Sequence, residues 1–348
     1  MTQLRLSVLD LVPVRSDQTS ADAVAASLAL ARTADATGYH RYWIAEHHNM
    51  PAVAATNPPV LIGLVAGATR RLRVGSGGVM LPNHAPLVVA EQFALLEAAF
   101  PGRIDLGVGR APGTDPLTSY ALRHGAGGVP DDAVARFPQY IEELEAMMAP
   151  EGVGVSLHGR TQALRATPAA RSVPQLWLLG SSDYAARLAA ERGLPYVFAH
   201  HFSGEGTAEA LALYRSGFQP SEHLAEPRTF LTVNAVVADT EEEARRLALP
   251  QLLTMLALRT GQPLAAGRLV EEAEKVELSE GQRDIVERMA RRWIIGDAAG
   301  ARRRLGELAE RFGVEEIMVN PVAGAFVGTE PDVAPARERT LELLAAAA

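Results

Sequence analysis

Asp10, the run Glu46-His47-His48, Arg110 and the triplet Gly180-Ser181-Ser182 each follow a short apolar, β-prone stretch of chain. In a parallel βα protein the active site lies where strands end, so polar side chains at such positions are the first candidates for chemistry. Glu46 and the two imidazoles beside it offer a base, hydrogen-bond donors and a group that titrates near neutral pH. Solvated loop residues would show the same three letters. His84, His200 and His201 widen the choice to a metal site of the zinc-hydrolase kind. Successive side chains on an extended segment face opposite ways, however, so His47 and His48 cannot easily grip one ion together, and no metal is expected.

The stretch Trp177-Leu178-Leu179-Gly180-Ser181-Ser182-Asp183 reads as a strand, a glycine and two hydroxyls that open a helix. The first N–H groups of a helix lack intrahelical partners, which suits them to a phosphate. An ordinary serine N-cap explains the hydroxyls as well. Arg110, at the end of a neighbouring strand, adds a guanidinium able to reach the same phosphate with two donors. Gly107 to Gly113 lacks the spacing of a dinucleotide fingerprint, and Pro112 would fall inside its opening helix. Ser76-Gly77-Gly78-Val79 either comes close to something flat or forms a plain turn.

Elements that could position these residues alternate along the chain. Apolar runs at Leu4 to Leu9, Tyr39 to Ala45, Leu72 to Ser76 and Ile104 to Val108 read as four strands. A helix capped by Ser20 and ended by Gly38, one over Pro58 to Ala68 and one opened by Pro86 separate them. In the third helix Val89, Phe93, Leu96 and Phe100 share a face. A Gly- and Pro-rich excursion from Ala111 to Pro130 leads to a helix over Ala133 to Met148 and a small hairpin over Val153 to Ala166. Strands at Leu176 to Leu179, Tyr196 to Ala199, Thr229 to Val237 and Glu316 to Asn320 complete eight, with helices at Asp183 to Arg192 and Val333 to Ala346. Eight βα units predict an α/β fold of the (β/α)8 TIM barrel type, a single domain over residues 1–348. A charged, helix-prone insertion from Arg259 to Arg291, between strands seven and eight, is expected over the barrel mouth or a flank. An open doubly wound sheet is the alternative.

Bulk properties narrow the partners. A net charge of −8 and the absence of a Lys/Arg cluster give no electrostatic footprint for nucleic acid. There is no cysteine, which excludes disulfides and thiolate chemistry. The most apolar stretch, Val60 to Ala68, is far short of the ~20 residues a membrane helix needs. The first residues lack a signal-peptide layout, so a cytoplasmic location is expected.

Taken together, Ala45-Glu46-His47-His48, Gly75 to Pro82, Gly102 to Arg110 and Gly193-Leu194-Pro195 resemble the bacterial luciferase-like monooxygenases, in order and spacing, over nearly the whole chain. The wording at Asn83-His84 and Gly109-Arg110-Ala111-Pro112-Gly113 is most similar to the single-subunit, luciferase-like oxidoreductases. The resemblance implies FMN at the barrel mouth, its ring against Gly77 and Gly78, where the family often has a non-proline cis peptide. It implies that Arg110, Ser181, Ser182 and Tyr184, with Gly180, hold the phosphate, that Glu46 lies near the ring and that His47 is the catalytic base. Asp10, Leu11, His48 and Met80 fall on the substrate side.

The chemistry so implied is oxygen activation on reduced FMN, supplied by a separate flavin reductase, and oxidation of an aldehyde, ketone or other small organic substrate. Light emission is not implied, since Gly109 stands where the luciferases carry a reactive cysteine. A homodimer through the second and third helices is also implied. Coenzyme F420 is the alternative cofactor within the same superfamily. A non-catalytic flavin-binding protein is a further alternative, against which the intact Glu46-His47-His48 argues.

Overall fold

The computed structural model describes residues 4–111, 115–124, 132–202 and 204–346. Strand β1 (Arg5–Asp10), helix α1 (Ser20–Ala36), β2 (Arg41–Ile44), α2 (Pro58–Ala68), β3 (Arg73–Ser76), the short β4 (Val79–Met80), α3 (Pro86–Ala99) and β5 (Ile104–Gly109) form the first half. Next come α4 (Pro116–His124), α5 (Phe137–Met148) and an antiparallel hairpin of β6 (Val153–Leu157) and β7 (Arg160–Leu164). The second half comprises β8 (Gln175–Gly180), α6 (Asp183–Arg192), β9 (Tyr196–Phe198), α7 (Thr207–Gly217), β10 (Thr229–Val237) and α8 (Glu241–Arg259). It ends with α9 (Val270–Ala273), α10 (Glu280–Arg292), β11 (Ile294–Gly296), α11 (Ala298–Phe312), β12 (Glu316–Pro321) and α12 (Pro335–Ala345).

Strands β1, β2, β3, β5, β8, β9, β10 and β12 pair in that circular order, all parallel, and β12 returns to β1. The sheet is therefore a closed eight-stranded barrel, not an open doubly wound sheet. No helix among the described residues is long and apolar enough to cross a membrane.

Side-chain alternation along each strand divides the core in two. Odd residues of β1 and β2, such as Leu9 and Trp43, point into the barrel and meet Trp177, Val197, Phe230 and Met318. Even residues, such as Val8, Tyr42 and Ile44, pack outward against the helices. Three rings, Trp43, Trp177 and Phe230, meet at centroid distances of 5.1 to 5.5 Å and fill the middle of the barrel. Below them, where the strands begin, Arg41 bridges Asp105 at 2.7 Å and Glu316 at 2.6 Å, and its guanidinium stacks 4.9 Å from the centre of Trp177. The barrel is thus closed at the bottom by a buried ion network and a layer of aromatic rings.

Some boundaries differ from the sequence expectations. Thr19, not Ser20, caps α1: its hydroxyl accepts from the Asp22 N–H while Asp22 accepts from the Thr19 N–H. Helix α5 begins at Phe137, not Ala133, and the excursion contains α4; residues 112–114 and 125–131 of it lie outside the described set. The insertion forms α9 and α10, and its leading strand-like residue Gly267 exchanges hydrogen bonds of 2.7 Å with Val14 and Ser16, just past β1. That contact places it on the rim of the mouth. β11 adds a short strand beside β10 that the sequence reading missed.

Candidate active site

Chain leaving β2 turns at Ala45, whose N–H bonds to the Asp10 carbonyl, and His47 N–H is tied to the Ala55 carbonyl at 2.8 Å. Glu46 between them is almost fully buried. One carboxylate oxygen accepts from the Met80 N–H at 2.9 Å, and the other lies 2.7 Å from both His48 Nε2 and His84 Nε2. Burial alone would raise its pKa, but the hydrogen bonds from the two histidines, the charge of His84 and the Met80 N–H outweigh this and hold it at about 2. Glu46 is therefore an ionised brace tying β2 to the segment after β3.

Side-chain alternation turns His47 the other way. Its Nδ1 is buried and has no hydrogen-bond partner. Burial lowers its pKa, the Glu46 carboxylate opposes that, and His48 adds to the lowering. A neutral imidazole with an uncommitted nitrogen is what a base needs. The metal reading takes a different form from the one weighed in the sequence: His48 joins His84, not His47, on Glu46, and the three ligand atoms lie within 4.8 Å of one another. This cluster could accept a cation, yet its hydrogen bonds already account for its geometry. His200 and His201 lie apart, past β9.

On the far side of the mouth, the Arg110 guanidinium lies 3.8 Å from the centre of the Tyr184 ring. Ser182 occupies the N-cap position of α6 with extended backbone, but its side chain makes no cap hydrogen bond. The simple capping explanation of this serine therefore fails, and the hydroxyls of Ser181 and Ser182 are exposed at the helix start. Gly180 serves packing: a β-carbon there would stand 2.7 Å from that of Ala185. The Gly77-Gly78 peptide is cis. A β-carbon on Gly77 would lie 2.8 Å from Leu9 Cδ1, and one on Gly78 would lie 2.9 Å from the Gly107 carbonyl oxygen, so both positions exclude side chains.

Asp10 is a correction. As an even residue of β1 it points away from the mouth into the barrel–helix layer, fully buried, where it meets Arg337 at 2.6 Å, the Val12 N–H and the Tyr42 hydroxyl. Arg337 and these hydrogen bonds outweigh burial and keep it ionised. Its carboxylate anchors α12 through Arg337 and is fully committed to these partners. His48, with its Nε2 given to Glu46, is likewise a brace. Leu11 and Leu179 pack on top of the interior cluster and form the apolar floor of the mouth. Met80 contributes its backbone N–H to Glu46 and is half-buried.

The sequence reading weighed His84 and His201 only as possible metal ligands, and the structure gives them other partners: His84 is the third member of the Glu46 cluster. A polar strip beyond β9 links Asn320 Nδ2 to Asn234 Oδ1, Asn234 Nδ2 to the His201 carbonyl, and His201 Nδ1 to Thr232 Oγ1, each at 2.8 Å. Because the Thr232 hydroxyl donates to the Phe198 carbonyl, it accepts from His201 and fixes the proton on Nδ1. Burial, aided by His200 and His47, pushes the His201 pKa down to about 4, so the ring is neutral. The rule that polar residues after apolar strands matter could have flagged this strip.

The chain is thus a closed parallel βα barrel that gathers an imidazole, a buried carboxylate and an arginine-tyrosine pair at its strand ends. The luciferase-like monooxygenase family model matches residues 4–316, and the chain belongs to that family. It is 40% identical over 325 residues to a luciferase-like monooxygenase of Escherichia coli strain K12, covering 91% of each chain. It is 37% identical over 274 residues to the N-acetyl-S-alkylcysteine monooxygenase of Bacillus subtilis strain 168, covering 78% of each. Among solved structures it is similar to apo-MsnO8, with a TM-score of 0.83, 32% identity and coverage of 99% and 98%. More distant structures share the fold alone. They include the FMN complex of the oxygenating constituent of 3,6-diketocamphane monooxygenase from Pseudomonas putida (TM-score 0.71, 18% identity, coverage 98% and 96%). Another is an F420-dependent secondary alcohol dehydrogenase (TM-score 0.62, 16% identity, coverage 96% and 99%).

Proposed function

We propose that this chain is an FMN-dependent monooxygenase of the cytoplasm that oxidises a small organic substrate, such as an aldehyde, a ketone or a thioether, with O2. The observation that carries this reading is His47: a half-buried imidazole whose Nδ1 is buried and unpartnered, next in the chain to an ionised carboxylate, in a barrel that also pairs Arg110 with Tyr184. The residues present fit a phosphate-bearing flavin. Arg110, Ser181, Ser182 and Tyr184 would hold the phosphate at the start of α6, and the side-chain-free backbone at Gly77-Gly78 would leave room for a flat ring. FMN, reduced by a separate reductase, would supply the electrons for oxygen activation.

The rest is the work of this chain. His47 Nδ1 takes up or returns a proton at the reacting centre. Glu46 fixes the loop that carries it. Leu9, Leu11 and Leu179 keep the floor apolar and exclude water from the substrate. The thioether is included because the Bacillus subtilis relative acts on N-acetyl-S-alkylcysteine. A homodimer is part of the reading: Val60 and Leu64 of α2 and Val88 and Leu95 of α3 present exposed apolar side chains on the two helices where the resemblance places a partner copy.

The test is a titration of the purified protein with oxidised FMN, reduced FMN and F420, repeated with Arg110→Ala. Reduced FMN that binds wild type and binds the variant at least tenfold more weakly supports the reading, and oxygen uptake with a panel of aldehydes, ketones and N-acetyl-S-methylcysteine follows. Binding of F420 alone moves the enzyme to the deazaflavin branch, and binding of none of the three overturns the flavin reading.

A further inference from the structure

Segment 45–55, which carries Glu46, His47 and His48, leaves β2 and returns to the barrel before α2. Both of its ends close on the end of β1 and the residues just past it. At the start, the Ala45 N–H donates to the Asp10 carbonyl at 3.0 Å. At the far end, the Ala54 N–H donates to the Val12 carbonyl at 2.8 Å and the Val14 N–H to the Ala52 carbonyl at 2.9 Å, while Pro13 bridges Val53 in antiparallel sense. The His47 N–H donates to the Ala55 carbonyl at 2.8 Å, which ties the backbone of the imidazole to the returning end. His47 is thus held at one remove by residues 10–14.

Those residues keep an unfavourable shape. Val12 is fully buried and has a φ of +50°, the left-handed region that a β-branched side chain avoids. Pro13 follows it, and a residue before proline prefers extended backbone. Such a conformation persists only where its surroundings over-determine it. The Asp10 carboxylate supplies the hold: Oδ1 accepts from the Val12 N–H at 2.8 Å and from the Arg337 guanidinium at 2.6 Å, and Oδ2 accepts from the Tyr42 hydroxyl. Arg337 is itself pinned to the Pro321 carbonyl at 2.8 Å, at the end of β12. Without the carboxylate, Val12 would relax toward extended backbone and swing its carbonyl off the Ala54 N–H. The loop would then open at the end to which His47 is tied.

We propose that Asp10 is a positioning residue for His47: its carbonyl holds the start of the loop, and its carboxylate, by locking the left-handed turn at Val12, holds the end. The inference rests on the proposed role of His47 for its consequence in turnover, but not for the geometry. Its test uses the cofactor-free protein with isotope-labelled histidine, and the NMR signal of the His47 ring is assigned by its loss in His47→Gln. In wild type the ring should titrate below 6.5, because burial lowers its pKa more than the Glu46 carboxylate raises it, and His48 adds to the lowering. Asp10→Asn breaks the charge pairing with Arg337 and weakens the hold on the Val12 N–H, so the His47 midpoint should rise toward 6.5 as the ring leaves its buried position. Glycine adopts the left-handed region readily, so adding Val12→Gly should return the His47 midpoint toward wild type although the urea midpoint does not recover. An ion pair that served stability alone would lower the urea midpoint and leave His47 as it was. Asp10→Ala with Arg337→Met removes both buried charges together and takes the place of Asp10→Asn if that variant does not fold. Wild type gives a check without substitution: the Val12, Ala45, His47 and Ala54 amides should exchange through one shared opening, with protection factors within about tenfold of one another. An unchanged His47 midpoint in a folded Asp10 variant, no recovery with Val12→Gly, or protection factors spread beyond that range would each overturn the proposal. Any of these with normal FMN binding by wild type removes this inference alone, whereas a His47 midpoint that shifts and recovers in a protein that binds no FMN removes the flavin reading alone.

Discussion

Glu46 and His47 are adjacent in the chain and have opposite roles because consecutive side chains leave an extended backbone on opposite faces. The carboxylate turns inward to three donors, and the imidazole turns toward the mouth with one nitrogen unpartnered. His47→Gln should lower kcat about 10²- to 10⁴-fold, the usual contribution of a positioned proton-transfer group, while FMN still titrates as in wild type. A pH profile checks the same residue by sign. Burial sets the His47 pKa below 6.5, so the base stays neutral below that pH and the acid limb of kcat/KM should lie on the acid side of 6.5. Glu46 acts against this lowering. Replacing it by Gln should therefore move the limb to still lower pH, and a limb that moves upward would contradict the assignment. Residue types and spacing were enough to single out Glu46, His47, Arg110 and Ser182. They could not reveal that Asp10 points outward, because strand parity depends on which face the barrel encloses.

At the scale of elements, the strands stand in register because the barrel interior is filled by matched layers. Asp105 receives Arg41 and Arg73, and the Trp43 indole N–H bonds to it at 3.0 Å. Asp105→Asn would leave two guanidinium groups facing a neutral amide at a buried site. Removing one partner from such a network costs roughly 3–5 kcal/mol, so the denaturation midpoint should fall sharply even though the change is far from the mouth. Gly107 is just as constrained: a β-carbon there would lie 2.1 Å from the Ser76 carbonyl oxygen, backbone that cannot move aside cheaply. Gly107→Ala should lower the melting temperature and displace the Gly77-Gly78 segment, with weaker FMN binding as the readout. Helices α2 and α6 and strand β10 were legible to the residue, because proline, acidic first turns and glycine stops punctuate them. α4 and β11 were not, since short elements carry too few periods to stand out.

For the whole molecule, acid sensitivity follows from histidines that the fold keeps neutral. His200 and His201 titrate near 4 in the folded chain and near 6.5 when unfolded, so between these values the unfolded state takes up protons that the folded state refuses. Stability is full above pH 6.5 and is lost as pH falls toward 4. The urea midpoint should decline across that window, and the decline should be shallower in His201→Gln. If the exposed apolar residues of α2 and α3 form a dimer face, Leu64→Glu with Leu95→Glu should give a monomer by light scattering, and an unchanged mass would remove that surface from consideration. The sequence by itself determined the eight βα units, the flavin-enzyme resemblance and the strand ends where chemistry gathers, because these depend on local periodicity and on residues next to each other in the chain. Only the tertiary structure decided that His84 completes the Glu46 brace and that Asp10 belongs to Arg337. Those are contacts between residues 38 and 327 positions apart, and their partners are chosen by how the closed barrel brings its strand ends together.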